Sequence, residues 1–66
     1  MTVGTQIGHY RKKQSMTQEN LAQKLGVSNQ AVSKWESDQC CPDVMLLPKL
    51  ADIFEISIDE LLGREQ

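Results

Sequence analysis

Between Thr17 and Glu36 two short apolar stripes flank a single glycine, and this run constrains the fold more than any other part of the chain. Leu21, Ala22 and Leu25 have the spacing of one helical face, and Ala31, Val32 and Trp35 repeat it. Thr17 and Ser28 stand just before the two stripes, where a hydroxyl can accept a hydrogen bond from an otherwise unpaired amide of the first helical turn. Gly26 follows Leu25 at the place where a helix ends in a left-handed residue. The spacing therefore predicts two helices joined by a turn of about three residues. A small residue at Ala22 lets the second helix cross closely, and Val32 fills the crossing.

The flanking sequence supplies more helices. Val3, Ile7 and Tyr10 recur with helical period, which predicts a first helix from about Gly4 to Lys13. Gly8 is unexpected inside it, because a glycine in a helix interior costs ~1 kcal/mol relative to alanine. Either the helix is locally weak or another backbone comes close there. Cys40, Cys41, Pro42 and Asp43 read as a loop ending in an N-cap, and Leu47, Leu50, Ala51 and Phe54 then carry a fourth apolar face. If that helix began at Val44, Pro48 would lie too far inside to avoid losing a hydrogen bond, so an irregular opening turn is expected. Ser57 and Glu60 have the spacing of a capping box for a last helix, with Ile56 and Leu61 as its hydrophobic staple and Gly63 as its end. A ragged tail, Arg64, Glu65 and Gln66, follows.

The central run resembles the helix-turn-helix of the lambdoid phage repressors, Cro and the xenobiotic-response-element (Xre) regulators. The matching residues are Thr17-Gln18-Glu19, Leu21-Ala22, Leu25-Gly26-Val27-Ser28 and Ala31-Val32-Ser33-Lys34-Trp35-Glu36. Downstream, Pro42-Asp43, Leu47-Pro48-Lys49-Leu50-Ala51, Phe54 and Ile56 to Leu62 look like that family's fourth and fifth helices. The resemblance implies an all-α, compact five-helix lambda-repressor-like domain spanning residues 1–66, with the helix-turn-helix at about 17–37. It also implies double-stranded DNA as partner. Asn29, Gln30 and Lys34 are implied to read bases, Gln18 to touch a phosphate, with a Gln18–Asn29 contact as a second option, and Arg11 to pair with Glu36 between helices one and three. At position 38 the family usually has glycine and this chain has Asp38, which puts the geometry of that loop in question.

Read from the residues themselves, the face of helix three opposite its apolar stripe consists of Asn29, Gln30, Ser33 and Lys34, with Ser37 nearer its end. Asparagine and glutamine can make paired hydrogen bonds to adenine, and lysine can reach guanine acceptors. Trp35 completes the apolar stripe and is expected in the core rather than on a base. The candidate DNA-binding residues are Gln18, Ser28, Asn29, Gln30, Ser33 and Lys34, together with the basic run Arg11, Lys12 and Lys13.

A net charge of −2 argues at first against a polyanionic partner. The distribution reverses the inference. Residues 1–35 carry five cations against the single acid Glu19, whereas residues 36–66 carry two cations against eight acids. The basic half is the half that contains the two-helix run.

Sixty-six residues allow one small domain with modest stability. No apolar run approaches the ~20 residues of a membrane span, and the first ten residues have no signal-peptide core, so the cytoplasm is expected. Cys40 and Cys41 are adjacent and are expected as free thiols, and with the single His9 they supply too few ligands for zinc. No cofactor and no small-molecule ligand is implied. One histidine, two neighbouring thiols and no phosphate-cradling glycine loop leave no set of acid, base and nucleophile, so an enzyme is not expected.

The combined expectation is a transcription regulator. Its small size favours a repressor that occupies its operator as a homodimer, pairing near Val44, Met45 and Ile58 as similar regulators do through this half. An alternative is a protein-interaction module such as an antitoxin, whose acidic half would bind a basic toxin.

Overall fold

A computed structural model describes residues 2–63, and all its regular structure is helical. The five α-helices are α1 (Val3–Lys13), α2 (Gln18–Leu25), α3 (Asn29–Glu36), α4 (Leu47–Phe54) and α5 (Ile58–Leu61), with a 3-10 turn at Val44–Leu46 before α4. The tail at positions 64–66 lies outside the described residues.

Local chemistry sets the ends of these helices. Thr2, Thr17, Ser28 and Ser57 each accept a hydrogen bond from a first-turn amide of α1, α2, α3 and α5. The capping box of α5 is formed by Ser57 and Glu60 as expected. A second box was not foreseen: Asn20 returns its side-chain oxygen to the amide of Thr17 at 3.2 Å. The usual signature asks for glutamate or glutamine at that position, yet asparagine reaches. Gly26 ends α2 at φ 75°, ψ 30°, and the amide of Val27 closes the turn on the carbonyl of Ala22 at 3.0 Å. A Cβ added at Gly26 would meet nothing within 4 Å, so the demand for glycine there is conformational and not steric. Gly26→Val should therefore destabilise the fold by more than ~1 kcal/mol in a urea melt, and an unchanged midpoint would refute the left-handed turn.

Asp38 adopts the left-handed conformation that glycine would have supplied, at φ 65°. Its side chain offsets part of the strain, since Oδ1 accepts a 2.8 Å hydrogen bond from the Thr2 hydroxyl and ties the loop after α3 to the start of α1. Pro48 also resolves simply. The 3-10 turn takes up Val44–Leu46, so α4 starts late and proline falls in its first turn, where no amide is needed.

The core lies where α1, α2, α3 and α4 meet, with α5 closing one end. Ile7, Leu21, Val32, Leu50 and Leu61 are fully buried, and Leu25, Trp35 and Phe54 nearly so. Each such side chain stabilises by ~1.5–3 kcal/mol when removed from water. That scale explains how a four-residue helix such as α5 persists at all, since isolated helices of this length do not form; Leu61 anchors it. Two glutamines, Gln6 in α1 and Gln14 at its C-cap, add polar clamps. The buried Gln6 donates its side-chain amide to the carbonyl of Glu60 at 3.0 Å, and Gln14 donates to the carbonyl of Phe54 at the end of α4, also at 3.0 Å.

The contact at Gly8 is neither of the two alternatives posed by the sequence. A Cβ there would lie 3.3 Å from Oε1 of Glu36, so the glycine makes room for a carboxylate and not for a backbone. The close backbone approach occurs one turn earlier, where a Cβ on Gly4 would collide with the carbonyl of Trp35.

Candidate nucleic-acid interface

Helix α3 turns Val32 and Trp35 into the core and leaves Asn29, Gln30, Ser33 and Lys34 exposed on its other face, as the stripe required. Ser28 is exposed as well, with its hydroxyl occupied by the amide of Ala31 at 3.2 Å. Asn29 and Gln30 thus stand at the start of the helix, where the positive end of the peptide dipoles favours an approaching anion. Lys34 lies in the last turn, where its charge complements the carbonyl end. Ser37 caps α3 and its hydroxyl donates to the carbonyl of Lys34 at 3.3 Å, so that side chain is turned back on the helix.

What holds α3 in place is a polar junction around Glu36. Arg11 presents its fork to the carboxylate, with Nε 2.7 Å from Oε2 and Nη2 3.0 Å from Oε1, while Nη1 donates to the carbonyl of Met16 at 2.8 Å. The two side chains retain only 11% and 13% of their exposure. Such planar two-point pairing is strong and directional. Burial by itself would raise the Glu36 pKa, but hydrogen bonds from Arg11 and Gln18 and the nearby charges of Arg11 and Lys12 outweigh it and hold the carboxyl below its ordinary value. The hydrogen bonds that Arg11 donates to Glu36 correspondingly raise the Arg11 pKa.

Gln18 departs from the expected partner. Its side-chain amide donates to Oε1 of Glu36 at 3.2 Å rather than meeting Asn29. One amide hydrogen is used in this way, and the second remains to donate to an external acceptor. The first residue of α2 is thereby joined to the last residue of α3. Sequence reasoning had no signal for this link, because 18 positions separate the two side chains. Arg11 belongs with them: its guanidinium is committed to Glu36 and Met16, which leaves Lys12 and Lys13 as the exposed cations of the basic run. Lys24, in the last turn of α2, is exposed too. Among the described residues no group of three or more histidine, cysteine, aspartate or glutamate side chains is placed to hold a metal ion. No helix among them is long and apolar enough to cross a membrane.

Five helices with a three-residue turn before an exposed, polar third helix define an all-helical domain of the phage-repressor type. The helix-turn-helix family profile matches residues 7–61, and the chain belongs to that family. It is 35% identical over 66 residues to the HTH-type transcriptional regulator ImmR of Bacillus subtilis, covering all of this chain and 52% of that protein. It is 39% identical over 64 residues to the cryptic phage CTXphi transcriptional repressor RstR of Vibrio cholerae, covering 97% of this chain and 57% of the other. The chain thus spans about half the length of these two relatives. Among solved structures, the P22 c2 repressor protein in complex with synthetic operator 9T superposes with a TM-score of 0.89 at 34% identity, over 98% of both chains.

Proposed function

We propose that this chain is a sequence-specific DNA-binding domain of a transcription regulator, and that it represses in the cytoplasm by occupying its operator as a homodimer. The observation that carries the reading is the row Asn29, Gln30, Ser33 and Lys34, exposed on a helix whose opposite face and end are anchored by Val32, Trp35 and Glu36. A rigidly held helix with polar side chains suits the major groove, where each good two-point base contact is worth ~1–3 kcal/mol of discrimination. The superposition on a repressor with a bound operator supports the same reading. Lys12, Lys13 and Lys24, together with the second amide hydrogen of Gln18, would meet phosphates. Residues 1–66 act as one unit in this reading, with residues 17–37 presenting α3.

One such helix covers too few base pairs for useful specificity, and two copies reach successive major grooves ~34 Å apart. Among the described residues, Val44 at 71% exposure, Met45 at 77% and Ile58 at 41% are the large apolar side chains left uncovered, and they lie in the acidic half away from α3 in sequence. A second copy seated on them would cover an apolar surface that a lone domain leaves wet.

The test is selection of bound duplexes from a random pool, repeated with Gln30→Ala. A two-fold symmetric site is expected from the parent chain, and the substitution should erase preference at one or two symmetric positions with nonspecific affinity nearly intact. If only overall affinity falls and the preferred sequence stays the same, Gln30 does not read bases. A single non-palindromic half-site bound by one copy would refute the dimer.

A further inference from the structure

Beside Glu36, α1 leaves an open groove of about 370 Å³ lined by Gly4, Thr5, Gly8, His9, Lys12 and the Glu36 side chain. We propose that this groove seats a DNA phosphate, the neighbour on the same strand of the phosphate that Gln18 meets, with Lys12 and His9 as its donors. The inference rests on the DNA-binding reading above and extends the contact surface from α2 and α3 onto α1.

The lining selects the ligand. Thr5, Gly8, His9 and Lys12 recur at three- and four-residue intervals and so share one side of α1. Two glycines keep the groove open, and no wall contributes a large apolar side chain, so an apolar occupant gains nothing there. Lys12 and His9 are exposed and supply hydrogen-bond donors, since an ammonium carries three N–H groups and even a neutral imidazole carries one. Thr5 is a wall and not a donor. Its hydroxyl lies 2.8 Å from that of Thr2, whose own hydrogen goes to Asp38, so the Thr5 hydrogen is spent on Thr2. The carboxylate of Glu36 does not leave the groove negative, because the Arg11 guanidinium sits 2.7 Å away and both carboxylate oxygens already accept N–H donors. With that pair cancelled, Lys12 gives the groove a net positive charge.

The place of the groove selects the source of the phosphate. Oε1 of Glu36 accepts the Gln18 amide at 3.2 Å and would lie 3.3 Å from a Cβ on Gly8, so Gln18 and the groove floor meet at a single atom. A phosphate on the second amide hydrogen of Gln18 therefore stands at the rim of the groove. A strand continuing from it by one nucleotide reaches Lys12, which lies one turn beyond Gly8 on α1. Lys13 is turned about 100° further round the helix and is not part of the lining. Lys24 sits at the opposite end of α2 from Gln18.

The experiment takes a duplex chosen by the selection above, replaces its phosphates one at a time with neutral methylphosphonates along both strands, and measures the affinity of this chain and its variants for each. The parent chain should lose about tenfold at each of two adjacent positions of one strand, the scale of one hydrogen bond to a charged group. Lys12→Gln should become indifferent to replacement at one of these positions and stay sensitive at the other, and Gln18→Ala should show the reverse. His9→Ala should weaken the loss at the Lys12 position alone, and Lys13→Gln should keep both losses. Lys12→Gln should also weaken all DNA sequences alike and reduce the salt slope by about one, with Lys12→Arg restoring it. A Lys12→Gln scan identical to that of the parent, or a Lys12-dependent phosphate that is not next to a Gln18-dependent one, would overturn the proposal while a preferred duplex still stands for the DNA-binding reading. If the selection gives no preferred duplex, both fall.

Discussion

Gly4→Ala is expected to lower stability by about 3 kcal/mol, at the upper end of the cost of overpacking a well-fitted contact, in a domain whose size sets a total of at most about 10 kcal/mol. The added methyl would be driven into the carbonyl of Trp35, a backbone atom that cannot rotate away. That carbonyl also accepts the amide of Asp38 at 3.1 Å, and Asp38 in turn holds Thr2, so moving α1 outward breaks the tie between the start of α1 and the end of α3. A fall in melting temperature of more than about 10 °C should follow. Gly8→Ala is the internal control. There the methyl meets the Glu36 side chain at 3.3 to 3.7 Å, which must give by a few tenths of an ångström against its ties to Arg11 and Gln18, and ~1 kcal/mol of helix propensity offsets this, so the loss should be well below that of Gly4→Ala. Equal losses for the two alanines would show that helix propensity or a general expansion, and not the Trp35 carbonyl, decides the outcome.

Arg11→Ala should cost about as much. Removing one member of a buried ion pair leaves the other charge without compensation, at ~3–5 kcal/mol, and Glu36 would keep only the single amide of Gln18. Glu36→Ala and the double variant complete a thermodynamic cycle, and a coupling energy above ~1 kcal/mol on unfolding is expected; a value indistinguishable from zero would mean the pair contributes nothing as a pair. The same junction fixes a pH dependence. Glu36 has a folded pKa below its ordinary value, so its contribution is complete at neutral pH and above the ordinary glutamate range near ~4.3, and is lost as pH falls from there through the lower folded value. Urea midpoints from pH 7 down to pH 3 should show this loss, and Glu36→Gln should flatten that part of the profile. DNA affinity should respond to Arg11→Ala less than stability does, because the guanidinium faces the protein.

The parts of the fold that could be read directly from the residues are the ones settled within a few positions along the chain. The apolar stripes of α2 and α3, the hydroxyl caps at Thr17, Ser28 and Ser57, and the left-handed Gly26 all involve neighbours within about one or two helical turns, where spacing alone says which atoms can meet. The same locality made the exposed face of α3 legible, since whatever lies off a buried stripe must face outward. The irregular start of α4 was legible for a similar reason, as proline forbids one local hydrogen bond wherever it sits. Asn20 is equally local, but the capping-box signature calls for glutamate or glutamine at its position, so spacing alone did not point to it.

By itself, then, the sequence determined that the chain is helical, where most helices begin and end, and which side chains of α3 remain available to a partner, because backbone capping and amphipathic spacing act over one or two turns. Only the tertiary structure decided which distant groups those elements bring together. It set Glu36 rather than Asn29 as the partner of Gln18, gave Gly4 to the Trp35 carbonyl and Gly8 to a carboxylate, and sent Gln6 and Gln14 to carbonyls on α5 and α4. Those partners lie 18 to 54 positions apart in the chain. Their pairing depends on the angle at which whole helices cross, and that angle follows from packing the complete core, which no short stretch of residues contains.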